Sequence, residues 1–175
     1  GGTLIAHQAL VSGEIDMYPE YTGTALANVL KAETMTDADA VYQKVKAHYD
    51  KELRLTWLKP TRINNTYVLV VLPETAQKHQ LKTLSDLAKV SKQLSLGAGP
   101  EFRNRKDGIP GLRAKYGMEW KEDRQLAIGL RYQALGAKQV DVIDGYATDG
   151  QIAAQKLVKL EDDKRLWPPY FVAPV

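Results

Sequence analysis

The residues in this chain best placed for chemistry are tyrosines, and their setting suits binding rather than reaction. Tyr21 follows Asp16 by five residues and Tyr146 follows Asp141 by five, each with threonine and glycine close by. Around them, Glu14-Ile15-Asp16-Met17 and Gln139-Val140-Asp141-Val142 alternate as short strands do. Each tyrosine is therefore expected on a loop between a strand and a helix, where an α/β unit presents side chains to a cleft. Two more tyrosines suit such a wall but equally suit ordinary core packing: Tyr67, near the head of a β-branched run, and Tyr170, beside Pro169. Trp57 and Trp120 read as packing residues.

Other chemistries find little footing. The chain has no cysteine, which removes disulfides, thiolate metal sites and a cysteine nucleophile together. His7, His48 and His79 are scattered, with no partner at zinc-ligand spacing. Asp141, Asp144, Asp149 and the run Glu161-Asp162-Asp163 do not match a calcium loop. Asp149 reads instead as a helix N-cap. Gly97-Ala98-Gly99 follows a strand, but Pro100 and the missing third glycine spoil a dinucleotide fingerprint. No nucleophile-elbow or Walker pattern occurs, so neither enzymatic activity nor a cofactor is expected.

The elements that must position the tyrosines alternate in type. Helices are expected from Thr3 to about Ser12, over 24–30 and over 37–53, with a short strand at Glu14–Tyr18 closed by Pro19. The run from Asn64 to Leu72 is the clearest strand, β-branched and near-continuously apolar. Beyond Pro73, helices are expected over 74–78, 83–90, 110–116, 124–135 and 149–155. Strands are expected over 94–98, 139–143 and 157–160, and 169–175 is extended and apolar. Such alternation defines an α/β class with largely parallel sheets and ligands at strand C-terminal ends.

Composition agrees with this and excludes two classes of partner. Of 175 residues, 44% are hydrophobic and 26% charged, as in ordinary soluble proteins. The net charge of +3 comes from 24 basic and 21 acidic residues mixed along the chain. No basic stripe interleaved with aromatics appears, so a nucleic-acid partner is not expected. No apolar run approaches the ~20 residues that a membrane helix needs.

Five stretches, taken in order, resemble the signature of binding proteins for glycine betaine, choline and carnitine. They are Gly13-Glu14-Ile15-Asp16-Met17-Tyr18-Pro19-Glu20-Tyr21-Thr22-Gly23-Thr24, Asn64-Asn65-Thr66-Tyr67, Phe102-Arg103-Asn104-Arg105-Lys106-Asp107-Gly108, Val140-Asp141-Val142-Ile143-Asp144-Gly145-Tyr146 and Leu160-Glu161-Asp162-Asp163. The resemblance covers essentially the whole chain. It implies a type II periplasmic-binding-protein fold, α/β in class, with two lobes and two crossover strands near 65–72 and 168–175. Lobe one would hold residues 1–72 and 164–175, and lobe two 73–163. Family members carry further elements at both ends, so lobe one is expected to be incomplete and the chain truncated.

The same resemblance implies the ligand, a quaternary-ammonium solute held in an interlobe aromatic cage and delivered to an ABC-transporter permease. A trimethylammonium group has no N–H to donate, and its charge is spread over methyl groups that prefer a dry, electron-rich wall. Aromatic faces provide one, at about 0.5–2 kcal/mol per contact. Carried over by position, the cage is Tyr21, Tyr67, Tyr146 and Tyr170, with Thr24, Asn65 and Thr148 fixing the ligand's other end. The expected location is periplasmic or extracytoplasmic, with the parent protein free, lipid-anchored or fused to its permease. A sensing module or biosensor fragment of the same fold is the alternative, as is a receptor for another betaine such as ergothioneine. The truncated ends are expected to expose apolar surface and favour self-association.

Overall fold

A computed structural model of the chain describes residues 2–175. It divides into two compact units, one of residues up to Thr66 together with Trp167–Val175, the other Tyr67–Leu166. Seven strands occur among the described residues: β1 (Pro19–Tyr21), β2 (Tyr67–Val71), β3 (Ser95–Ala98), β4 (Glu122–Gln125), β5 (Val142–Tyr146), β6 (Val158–Leu160) and β7 (Val172–Pro174).

In the first unit β1 and β7 pair antiparallel, Pro19 opposite Pro174 and Tyr21 opposite Val172. Antiparallel ladders alternate bonded and non-bonded pairs. The two prolines, which have no N–H, face each other at a non-bonded position, while Tyr18 and Val175 exchange both of their backbone bonds at 3.2 and 3.0 Å. Pro19 therefore begins a strand here instead of closing one. The strand expected at 14–18 does not form. Gly13 turns at a φ of 77°, and the amides of Glu14 and Ile15 fold back to the carbonyl of Ala9. The helix Ala38–His48 is capped by Asp37, whose carboxylate accepts from Ala40 N at 2.7 Å. Val41, Val45 and Tyr49 recur every four residues and enter the core with Leu10, Leu26 and Trp57. Its last turn, Tyr49–Leu53, widens to a π-helix, as does Ala25–Val29 after the short helical turn Thr22–Thr24.

The second unit is built on a five-stranded sheet in the order β4-β3-β5-β2-β6. β3 runs parallel to β4 and β5, whereas β2 runs antiparallel to both β5 and β6. The sheet is thus mixed, not largely parallel as expected. β2 is buried along its whole length, and Val68 and Val70 pack with Leu135, Val140, Ile143 and Ile152. Residues 67–72, together with 164–166, belong to this unit.

Two more expectations fail here because a partner elsewhere in the chain decides the conformation. The helix expected over 124–135 is an edge strand β4, a 3₁₀ turn Ile128–Leu130 and a helix Arg131–Gly136 only. All four side chains of β4 are exposed and polar, so they leave no period to read, and only its pairing with β3 defines it. The strand expected over 139–143 is displaced to 142–146. Gln139 N is held by the carbonyl of Ala134, and Asp141 is occupied with Ser95, whose amide and hydroxyl donate to its carboxylate at 2.8 and 2.7 Å.

Candidate functional site

The antiparallel entry of β2 places its first residue, Tyr67, directly opposite the last residue of β5, Tyr146. Their ring centroids are 5.3 Å apart with planes inclined at 41°, and the Phe102 ring centre lies 4.9 Å from that of Tyr67. Three aromatic rings therefore run together along the edge where β3, β4 and β5 also end. Ligand sites are expected at that edge in α/β sheets.

Each tyrosine is backed by a guanidinium that is itself matched by a carboxylate. The Arg105 guanidinium carbon sits 5.1 Å from the Tyr67 ring centre, and its Nε and Nη2 donate to the two oxygens of Asp107 at 2.7 Å each. The Arg131 guanidinium lies 5.0 Å from the Tyr146 ring centre and pairs with Asp144. Its Nε donates to the carbonyl of Ile128 at 3.1 Å, and the other Asp144 oxygen accepts from Gly99 N at 3.0 Å. Within this unit Glu101 also lies near Tyr146, but it is exposed, so the guanidinium groups beside the rings are matched chiefly by Asp107 and Asp144.

Burial pushes the Tyr67 hydroxyl far above its usual pKa, with Arg105 opposing. Tyr146 is raised for the same reason, with Arg131 opposing. Burial also raises the Asp144 carboxyl against the pull of Arg131 and the Gly99 amide. The rings are thus neutral walls rather than acids or bases.

The turn after β5 is fixed by Asp149, which stands at the helix N-cap position expected from sequence but turns its side chain to other partners. Its Oδ2 accepts from the Tyr132 hydroxyl at 2.6 Å and from Tyr146 N at 3.0 Å, and its side chain makes no cap bond to the helix Gly150–Ala154. Thr148 lies on this turn, exposed. The path of the Tyr132 hydroxyl also explains Gly145, because a Cβ there would meet that oxygen at 2.7 Å.

The first unit gathers the remaining expected residues by a separate set of bonds. Thr22 Oγ1 donates to the carbonyl of Pro169 and accepts from Phe171 N, both at 3.1 Å. Tyr170 N donates to Asn64 Oδ1 at 2.8 Å, and Asn65 N donates to the carbonyl of Tyr170 at 3.0 Å. Tyr170 is buried and packs on Gly23, where a Cβ would come within 2.8 Å of its ring. Tyr21 is half-buried at the end of β1, its amide donating to the buried Glu20 carboxylate at 2.7 Å. Thr24 is buried in the following turn. Tyr21, Thr24, Asn65 and Tyr170 thus belong to one unit, and Tyr67, Tyr146 and Thr148 to the other.

Sequence reasoning missed Phe102, Arg105 and Arg131 as neighbours of the tyrosines, and weighed Asp144 only as a calcium ligand. Phe102 and Arg105 lay within a stretch quoted for the family resemblance, which was the available signal. Arg131 stood inside an expected helix and carried none.

This fold, with its aromatic wall and no helix among the described residues long and apolar enough to cross a membrane, is that of a type II periplasmic binding protein. The chain belongs to the family of substrate-binding domains of ABC-type glycine betaine transport systems, whose model matches residues 1–175. It is 38% identical over 170 residues to the ergothioneine transport permease/ergothioneine binding protein EgtU of Helicobacter pylori, covering 97% of this chain and 30% of that protein. It is 37% identical to the carnitine transport binding protein OpuCC of Listeria monocytogenes, covering 97% of this chain and 56% of the other. A crystal structure of a glycine betaine/carnitine/choline ABC transporter protein superposes with a TM-score of 0.76 at 38% identity, over 99% of this chain and 64% of that one. The chain therefore spans between about a third and two thirds of the length of these relatives.

Proposed function

We propose that this chain is the ligand-binding part of an extracytoplasmic receptor that captures a quaternary-ammonium solute and delivers it to an ABC-transporter permease. The observation that carries the reading is the Tyr67–Tyr146 ring pair at 5.3 Å, both rings neutral, Tyr67 buried and Tyr146 half-buried, with each neighbouring guanidinium matched by a carboxylate. A methylated ammonium asks for a polarizable face with no uncompensated positive charge behind it, not for a hydrogen-bond acceptor, and two rings offer about 1–4 kcal/mol together. Tyr21 and Tyr170 are proposed as further aromatic contacts, with Thr24, Asn65 and Thr148 as polar ones. Glycine betaine, choline and carnitine are the proposed solutes, in keeping with the names of the relatives. Ergothioneine, itself a betaine, is the second reading, favoured by the 38% identity to the Helicobacter pylori protein.

Calorimetric titration with glycine betaine, choline, carnitine and ergothioneine tests both readings. Saturable binding of one solute, weakened more than tenfold by Tyr146→Ala, is the expected result; tenfold corresponds to about 1.4 kcal/mol, within the worth of one ring. Unchanged affinity in a folded Tyr146→Ala variant removes Tyr146 from the wall.

A further inference from the structure

Arg131 and Asp144 are each only 1% exposed, and a buried ion pair is a poor way to stabilise a fold compared with apolar side chains of the same volume. What this pair does is local to the wall. Through the Ile128 carbonyl it holds the turn after β4, through Asp144 it holds β5, and through the Gly99 amide it holds the loop after β3. The guanidinium that makes these bonds also lies over the Tyr146 ring. Such a cation fixes the ring well, but it brings a positive charge to the back of a surface that is to receive another.

We propose that Arg131 and Asp144 form a charge-compensated positioning pair that sets selectivity for a cationic over a neutral ligand: Arg131 holds the Tyr146 ring, and Asp144 cancels the charge that this brings. The proposal rests on the quaternary-ammonium reading above. A ligand cation on the opposite face of Tyr146 sits roughly 10 Å from the guanidinium, and at an effective dielectric of about 20 an uncompensated charge there disfavours it by about fifteen-fold. Other charges facing the ring do not replace Asp144. Glu101 is exposed, Asp149 is engaged by Tyr132 and the Tyr146 amide, and Asp107 is matched to Arg105.

The test compares choline with 3,3-dimethylbutan-1-ol, which has the same shape with carbon in place of the charged nitrogen, by calorimetry on the intact protein. Asp144→Asn is expected to weaken choline at least tenfold and the neutral alcohol less than threefold. The double variant Arg131→Met/Asp144→Asn is expected to return the ratio of the two affinities to within threefold of wild type. A purely structural role lowers both ligands together and leaves the ratio unchanged in Asp144→Asn, which overturns the proposal. Should Asp144→Asn fail to fold by circular dichroism, Asp144→Ser, which removes the same charge, is expected to lower choline relative to the alcohol in the same way, and an unchanged ratio overturns the proposal. Wild-type protein that binds no quaternary ammonium overturns the functional reading and this one with it. Wild-type binding with an unmoved ratio overturns this one alone.

Discussion

Gly145→Ala puts one methyl group where the Tyr132 hydroxyl passes. The new Cβ would stand 2.7 Å from that oxygen and 3.2 Å from Val70 Cγ2, against an ordinary contact beginning at 3.4 Å. The hydroxyl must retreat by about 0.7 Å, and that retreat is expected to strain or break its bond to Asp149, to which it donates at 2.6 Å. Losing a hydrogen bond to a charged group costs about 1.5–3 kcal/mol, and overpacking a buried site adds about 1–3 kcal/mol. Because one movement relieves the clash by sacrificing the bond, the two do not add fully, and a loss of about 2–4 kcal/mol is expected. Since Asp149 also holds the Tyr146 amide, ligand affinity falls with stability.

The assay is urea denaturation followed by circular dichroism, with Tyr132→Phe as the partner mutation in a double-mutant cycle. Without the hydroxyl, the alanine meets only Val70 closely, so in the Tyr132→Phe background its cost is expected to fall below about 1 kcal/mol. A Gly145→Ala protein within about 0.5 kcal/mol of wild type, or a penalty unchanged by Tyr132→Phe, refutes the reasoning.

Two further outcomes are expected. Asp86, which closes the capping box with Thr83 before the helix Leu84–Val90, is held down to about 2 by its bonds to Lys89 and to the Thr83 and Lys82 amides. Its folded pKa lies below the unfolded one near ~3.9. Its contribution is therefore complete above that value and is lost as the pH falls toward 2. An NMR titration of the Asp86 carboxyl should show this depressed midpoint, and a midpoint above about 3.5 contradicts it. Leu4, Ile5, Val11 and Met17 are exposed on and just after the helix Thr3–Val11, so the 175-residue chain is expected to self-associate with rising concentration. Leu4→Lys with Ile5→Lys should suppress this in light scattering; a wild-type chain that stays monomeric at every concentration rules it out.

The sequence carried the α/β class, most helices and the buried strand β2, because hydrophobic period and caps such as Asp37 and Thr83 are written locally. It also brought Tyr67 and Tyr146 into view, one through its place near a buried run and the other through a motif. What it did not carry is whatever depends on a distant partner. β4 is four exposed polar residues whose conformation is set by β3 alone. The strand expected at 14–18 alternated correctly, yet its residues wrap the end of the first helix and the pairing begins at Pro19. Arg131 was illegible for the same reason. An arginine in a helical stretch is normally solvated, and only the fold shows it buried against Asp144 and Tyr146.

The direction of β2 has a consequence for how the molecule is made. Both of its neighbours, β5 and β6, come after it in the chain, β5 only after β3 and β4 have been laid down. The strand at the heart of the unit is therefore among the first synthesised and the last to find partners. Until then Tyr67-Val68-Leu69-Val70-Val71 is an uncharged, proline-free, strongly β-forming window of the kind that pairs with copies of itself. Completing the aromatic wall and hiding this window are one event, since the register that seats Tyr67 beside Tyr146 is the register that covers Val68 to Val71. A nascent chain thus hides its stickiest window in the same step that brings the Tyr67 and Tyr146 rings together.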